Sequence, residues 1–157
     1  MRLRALAVLG TAAFVTCITW DSAPAITGWA QPAYSATLSP NIAGVGQAGT
    51  DSKVLTLDHD GDSTIQASVT QAGDEVLTHQ TTGDTLVTSY KLTGAALGAS
   101  SDTDWVSSSD FIAPARSYSV GGVGPSEITF HVRGAAAPAR ASDAGTYTAS
   151  IVLTVLW

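Results

Sequence analysis

The stretch DAGTYTASIVLTVLW, residues 143–157, carries the clearest strand signal of the chain. Every second residue is apolar or aromatic, a period that places such side chains on one face of an extended strand. The residues expected on that face are Tyr147, Ala149, Ile151, Leu153, Val155 and Trp157. We predict that this face completes a buried core and that the strand lies inside a sheet, where both of its edges are paired.

Four other segments show the same period-two alternation and are separated by turn residues. One apolar face per strand is typical of antiparallel sheets stacked on a shared core. We therefore predict an all-β fold, an immunoglobulin-like antiparallel β-sandwich of seven to eight strands. Asp60 and Gly61 are expected to form a tight hairpin between two of them. The expected inward-facing residues are Tyr34, Ala36 and Leu38; Ile65, Ala67 and Val69; Leu86, Tyr90 and Leu92; and Ile128, Phe130 and Val132.

The first residues have the layout of a secretory signal peptide. Arg2 and Arg4 precede an apolar run that is short for a membrane span, and a small-x-small site ends at Ala25. We predict a signal peptide over 1–25, an N-terminal arm over 26–33 and a single domain over 34–157. Cleavage would remove Cys17, the only cysteine, and with it the only thiol. We expect the mature chain to have no membrane span and to be extracytoplasmic, either secreted or on the cell surface.

The charge balance excludes two classes of partner. The formal net charge is −6, and without the leader five basic and twelve acidic residues remain. Nucleic acids and anionic membranes bind to concentrated positive charge, which this sequence lacks. We therefore expect no nucleic-acid partner.

Two groups of aspartates are candidate metal ligands. Asp58, Asp60 and Asp62 form D-x-D-x-D, but Gly61 is at the fourth position, where a calcium-binding loop has its glycine at the sixth. A turn is the favoured interpretation, and we predict no metal and no cofactor. The second group surrounds Trp105 and consists of Asp102, Asp104 and Asp110.

Neither hydrolysis nor sugar binding has a strong sequence signal. Ser and His are present, but no G-x-S-x-G elbow occurs, and we predict no catalytic site. Exposed aromatic side chains can stack on sugar rings, and Trp105 in its Ser/Asp-rich segment is the candidate for such a ligand contact, ahead of Trp29 and Tyr34. Burial in the core is the commoner fate of such residues.

The segment DAGTYTA resembles the corner at which immunoglobulin-type domains enter a late strand. There a tyrosine hydroxyl bonds to nearby backbone, and Tyr147 has the corresponding place here. A core tyrosine without that bond is the alternative. Ala149 stands where a disulfide cysteine would be. With the leader and the alternating terminal strand, the chain is similar to secreted bacterial surface sandwiches of the pilin-like and spore-coat-protein-U-like kinds, and distantly to WxL domains.

This resemblance implies an extracytoplasmic, non-catalytic building block. The function predicted from the sequence is a structural or adhesive subunit at the cell surface that associates with itself, through strand edges or the N-terminal arm, or with other surface proteins. The alternative is a glycan-binding β-sandwich that contacts a polysaccharide.

Overall fold

The computed structural model describes residues 7–8, 14–15, 27–30, 47–136, 143 and 145–157. The strand predicted around Tyr34, Ala36 and Leu38 lies outside these residues. Within the predicted leader, β1 (Ala7–Val8) pairs with β2 (Phe14–Val15). Among the described residues, no helix is both long enough and apolar enough to span a bilayer.

The larger sheet contains five antiparallel strands in the order β3-β4-β10-β7-β8. Its centre is the ladder between β4 and β10, which runs from the pair Gly124 and His59 to the pair Ala135 and Ala48. Period-two burial in β7 and β10 fits a sheet with one face on the core. The strands are β3 (Gly28–Trp29), β4 (Ala48–His59), β7 (Val87–Thr93), β8 (Val106–Ser107) and β10 (Gly124–Ala135).

The second sheet has three antiparallel strands in the order β12-β5-β9, and a separate two-stranded pair joins β6 to β11. Short helical segments lie between β7 and β9: a 3₁₀ helix over Ala95–Ser100 and α1 over Ser108–Phe111. The remaining strands are β5 (Ser63–Ser68), β6 (Thr78–His79), β9 (Tyr118–Val120), β11 (Tyr147–Thr148) and β12 (Val152–Leu156). The fold is therefore all-β and antiparallel, as the alternation predicts.

One hydrophobic core draws residues from both sheets. Ile65 and Val155 come from the three-stranded sheet, and Leu92 and Ile128 come from the five-stranded one. Phe111 is fully buried and brings α1 onto this core, where its ring lies 5.1 Å from that of Tyr90. The faces predicted for β5, β7 and β10 are those that the structure buries, because apolar side chains on alternate positions leave water together.

The Asp60–Gly61 turn is not a hairpin, so this prediction is wrong. β4 belongs to the five-stranded sheet and β5 to the three-stranded one, and Gly61 does not have the positive φ of a tight hairpin turn. The turn instead carries the chain from one sheet to the other. Pairing of β4 with the distant β10 over twelve residues outweighs a local hairpin.

The closing strand β12 is an edge strand, whereas the sequence predicted an interior one. Among the described residues β12 pairs only with β5, from Val152 opposite Ser68 to Leu156 opposite Thr64. Its inward face is the predicted one from Ile151 to Val155, because Val155 is buried and Ile151 and Leu153 pack against the core. The single strand predicted from Tyr147 is wrong, since Tyr147 lies in β11 of a separate sheet and Ala149 is exposed between the two strands.

The predicted N-terminal arm contacts its own chain. Gly28 and Trp29 pair with Asp58 and Leu57 on the edge of β4. The indole of Trp29 donates a hydrogen bond of 2.9 Å to the carbonyl of Leu153 in β12. The arm therefore links the five-stranded sheet to the edge of the three-stranded sheet.

Candidate functional site

The Tyr147 corner contains the hydrogen bond that its sequence resemblance implies. The Tyr147 hydroxyl lies 2.9 Å from the Asp143 carbonyl, four residues upstream, and 2.9 Å from Oδ2 of Asp84. The same Asp84 oxygen accepts from the Asp143 backbone N–H at 3.1 Å. Because Asp84 is buried and lies outside the terminal segment, the corner fixes the start of β11 to the loop after β6.

Gly145 brings the corner close to His79. A Cβ at Gly145 would overlap Nε2 of His79 and lie 2.9 Å from its Cδ2, and Gly145 has a positive φ of 151°. The His79 ring also meets Tyr147 edge-on, with centroids 5.1 Å apart. Its Nδ1 accepts from the Thr82 backbone N–H at 3.0 Å. These contacts enclose the His79 imidazole and hold the corner against the loop after β6.

Removing the Tyr147 hydroxyl should destabilise the folded protein. We expect Tyr147→Phe to lower the free energy of unfolding by about 1–2 kcal/mol, because the ring stays while the bonds to Asp143 and Asp84 are lost. Urea unfolding measures the change, and Thr148→Ala, at an exposed neighbouring position on β11, is the control. If the two variants were equally stable, the corner bond would contribute nothing.

A buried carboxylate connects the polar loop to the larger sheet. Asp102 accepts from the Leu92 backbone N–H and from the Tyr118 hydroxyl, each at 2.8 Å, and forms an ion pair with Arg116. Arg116 also donates from Nε to the Tyr118 hydroxyl at 2.8 Å. Burial raises the pKa of Tyr118 far above its ordinary range, so the phenol stays protonated and donates to Asp102. Asp102, predicted as a weak metal candidate, is thus a structural counter-ion.

Trp105 lies on the outer face of the larger sheet and is partly covered. Its ring meets His131 edge-on at 6.4 Å between centroids, and the Lys91 ammonium lies 5.9 Å from its centroid. Lys91 also donates to the Thr103 carbonyl at 2.9 Å, and His131 Nε2 is 2.9 Å from the Thr93 hydroxyl. A sugar stacking on Trp105 would compete with Lys91 for the ring.

His131 should make stability depend on pH. Burial, and then the positive charge of Lys91, lower the pKa of His131 below its ordinary value near 6.5. The unfolded chain therefore binds a proton before the folded one does, and the stabilisation present above about pH 6.5 is lost as the pH falls. We expect the stability difference between about pH 7.5 and about pH 5.5 to be smaller in His131→Gln than in the wild type. Urea titrations at both pH values measure it, and an unchanged difference would contradict the assignment.

The D-x-D-x-D aspartates take separate places in the structure. Asp58 lies in β4 opposite Pro125, and Asp60 accepts a hydrogen bond from the Thr27 hydroxyl at 2.7 Å. Asp62 is exposed at the start of β5, near Gly121. Throughout the part of the chain that the structure describes, no three His, Cys, Asp or Glu residues are grouped to hold a metal ion.

His59 and Ser126 form the arrangement nearest to a nucleophile and base. His59 Nε2 is 2.8 Å from the Ser126 hydroxyl, and its Nδ1 is 3.2 Å from the Gly61 carbonyl. The imidazole is buried within the end of the β4–β10 ladder, where it connects the turn to both strands. We interpret this pair as a structural contact, since a substrate has no access to a buried base.

An open groove of about 500 Å³ lies at one end of the three-stranded sheet. Its walls are the start of β5 (62–64), the end of β9 (119–121) and the end of β12 (156–157). Trp157, expected on the core face, is 84% exposed here because the β12–β5 pairing stops at Leu156. This groove was not predictable from the sequence, since alternation alone placed Trp157 inward.

The sequence comparisons with known proteins found no relative of this chain. No protein-family model matches the chain, and no curated protein matches it significantly. The function is therefore argued from the residues of this structure.

Proposed function

We propose that this chain is a non-catalytic structural or adhesive subunit of the cell surface, built as an immunoglobulin-like β-sandwich, that associates with itself through the edge strand β12. The observation that carries the proposal is that this strand is both an edge strand and uncharged. β12 lies at the edge of its sheet, and residues 144–157 contain no charged side chain. Edge strands that must stay single usually carry charge, proline or a bulge.

The outward face of β12 supports this function. Val152 is 43% exposed and Leu156 is 46% exposed, and the partners opposite them on β5 are Ser68 and Thr64. Thr154 lies between them, opposite Gln66. The outer surface of these two strands is uncharged, β-forming and partly apolar, which favours burial against another protein.

The larger sheet offers a useful contrast. Its outer surface carries Lys91 and His131 opposite each other on β7 and β10, and Trp105 packs across them. Burying this surface against another protein would remove the hydration of the Lys91 ammonium, whereas the outer surface of β5 and β12 carries no charge. This difference favours association through β12.

Trp29 limits which backbone groups of β12 can pair with a strand of a second copy. Its indole already occupies the Leu153 carbonyl, so the outward backbone groups nearer the end of β12 are those left for a second strand. A neighbouring copy can add to an edge of this kind by backbone hydrogen bonds. The docked arm thus covers part of the edge.

The surface location is supported by sequence alone. The basic start and apolar run of residues 1–25 have the pattern of an export signal, and the corner at Tyr147 resembles that of extracytoplasmic sandwiches. A mature chain without cysteine agrees with a domain held by burial and backbone pairing. The glycan-binding alternative from the sequence rests on Trp105, whose ring already contacts His131 and Lys91.

Analytical ultracentrifugation of the chain without residues 1–25 tests the association. We expect concentration-dependent oligomers for the wild type and monomers for Val152→Lys, because a lysine on β12 would be buried without a partner. Val87→Lys is the matched control, since Val87 is an exposed valine at the start of β7. Monomeric wild-type protein at high concentration, or equal effects of the two lysines, would overturn the proposal.

A further inference from the structure

The groove beside Trp157 is an open depression that is large enough for a sugar ring. Its volume of about 500 Å³ falls within the roughly 300–1,000 Å³ typical of ligand pockets. Three neighbouring strand ends form it, because Ser63 pairs with Val120, Thr64 with Ser119, and Leu156 with Thr64. The site therefore rests on the sheet framework.

Trp157 provides a flat apolar surface at this groove. The side chain is 84% exposed, the largest exposed fraction among the large hydrophobic residues that the structure describes. Aromatic rings have a strong tendency to bury apolar area against a flat partner. The indole is exposed next to polar strand ends and thus offers a stacking face beside hydrogen-bonding groups.

The polar lining supplies donors and acceptors. Thr64, Ser119 and Asp62 line the groove together with Trp157, and the Asp62 carboxylate has no hydrogen-bond or ion-pair partner among the described residues. Ser63 is only 5% exposed, and its Oγ has no hydrogen-bond partner within the described part of the chain. A buried hydroxyl left unpaired destabilises the folded state, and a ligand group that reached it would remove this cost.

The charge of the groove selects among polar ligands. Asp62 is the charged residue of its lining, and the chain as a whole is acidic. Anionic ligands such as uronic acids or sulfated sugars are repelled, whereas neutral polyols keep all of the hydrogen bonds. Flat apolar faces together with many hydroxyls are the chemistry of a pyranose ring.

We propose that this groove binds a neutral pyranose unit of a polysaccharide, with the sugar stacked on Trp157 and its hydroxyls bonded to Asp62, Thr64 and Ser119. This site goes beyond the proposed subunit function: it uses side chains at the end of β12, Leu156 among them, whereas self-association pairs the outward backbone groups of the strand. The two functions can be tested separately, because Val152, the position substituted to prevent association, does not line the groove.

Isothermal titration tests the site on the Val152→Lys chain, with cellohexaose, maltohexaose and chitohexaose as neutral probes and hexagalacturonate as the anionic probe. We expect saturable binding of at least one neutral hexasaccharide and weaker binding of hexagalacturonate. Trp157→Ala should weaken the neutral binding by about tenfold or more, as expected for a central aromatic contact. Its exposed position means that the thermal midpoint should stay unchanged.

Trp105→Ala is the matched control, because Trp105 packs on the outer face of the other sheet. It should bind the neutral probe as the parent chain does, while Asp62→Asn should narrow the preference for neutral over anionic probes. Absence of saturable binding for all three neutral probes would overturn the proposal. So would unchanged affinity in Trp157→Ala, or loss of binding in Trp105→Ala.

Discussion

Replacing Asp102 with Asn should lower the free energy of unfolding by about 3 kcal/mol, the lower end of the range for breaking a buried ion pair. The carboxylate is buried and accepts hydrogen bonds from Leu92 and Tyr118 while it pairs with Arg116. An amide of the same shape can accept at one atom only, and its NH₂ group then faces another donor. The Arg116 side chain is 32% exposed, so its guanidinium can be hydrated once the ion pair is lost. The expected loss of stability is therefore near the lower end of the range for a buried ion pair.

Urea unfolding measures this loss, and Asp104→Asn is the matched control. Asp104 is two residues away, is exposed, and has no hydrogen bond or ion pair to another described residue. We expect its replacement to change the stability by less than about 0.5 kcal/mol. Equal stability of the two variants would show that Asp102 is not the structural counter-ion described above.

Gly145→Ala should also be strongly destabilising, by about 2–4 kcal/mol. The new methyl group would overlap the His79 ring, and the backbone φ of 151° is unfavourable for alanine. Gly122→Ala separates these two causes, because Gly122 has a positive φ of 102° and a Cβ there would meet no atom within 4 Å. We expect about 1–2 kcal/mol for Gly122→Ala, from backbone strain alone.

A double-mutant cycle identifies the clash directly. In a His79→Ala background, Gly145→Ala should cost clearly less than in the wild type, because the overlapping ring is gone. Thermal or urea unfolding of the four proteins provides the comparison. An additive result would mean that Gly145 and His79 are not in contact.

Local alternation was sufficient to predict much of the core. Ile65, Leu92, Ile128 and Val155 are buried on the faces that a period of two assigns to them. The corner motif also pointed to Tyr147, whose hydroxyl does reach the Asp143 carbonyl. These features depend on neighbours in sequence, which is why pattern alone identifies them.

Features that depend on distant partners were not predictable from local pattern. Asp60 and Gly61 have hairpin chemistry, but the strands that follow and precede them belong to different sheets. The place of Trp157 depends on where the β12–β5 pairing ends. Asp102 could be recognised as a counter-ion only once Arg116, fourteen residues later, was placed beside it.

The three-stranded sheet carries two surfaces with different proposed contacts. We propose that the uncharged edge of β12 pairs with a second copy of the chain and that the groove at its end binds a neutral sugar ring. A surface subunit with both properties would hold its neighbours and a polysaccharide together. Self-association is the central claim, since the proposed function depends on it.

Amide hydrogen exchange along β12 tests this claim most directly. The Leu153 carbonyl accepts from Trp29 and so points away from β5, which places the Leu153 and Val155 amides on the outward side of the strand. We predict that exchange at the Val155 amide slows as protein concentration rises, while the Ser107 amide on the edge strand β8 is unaffected. Exchange at Val155 that is independent of concentration, and equal in wild type and Val152→Lys, would contradict association through β12.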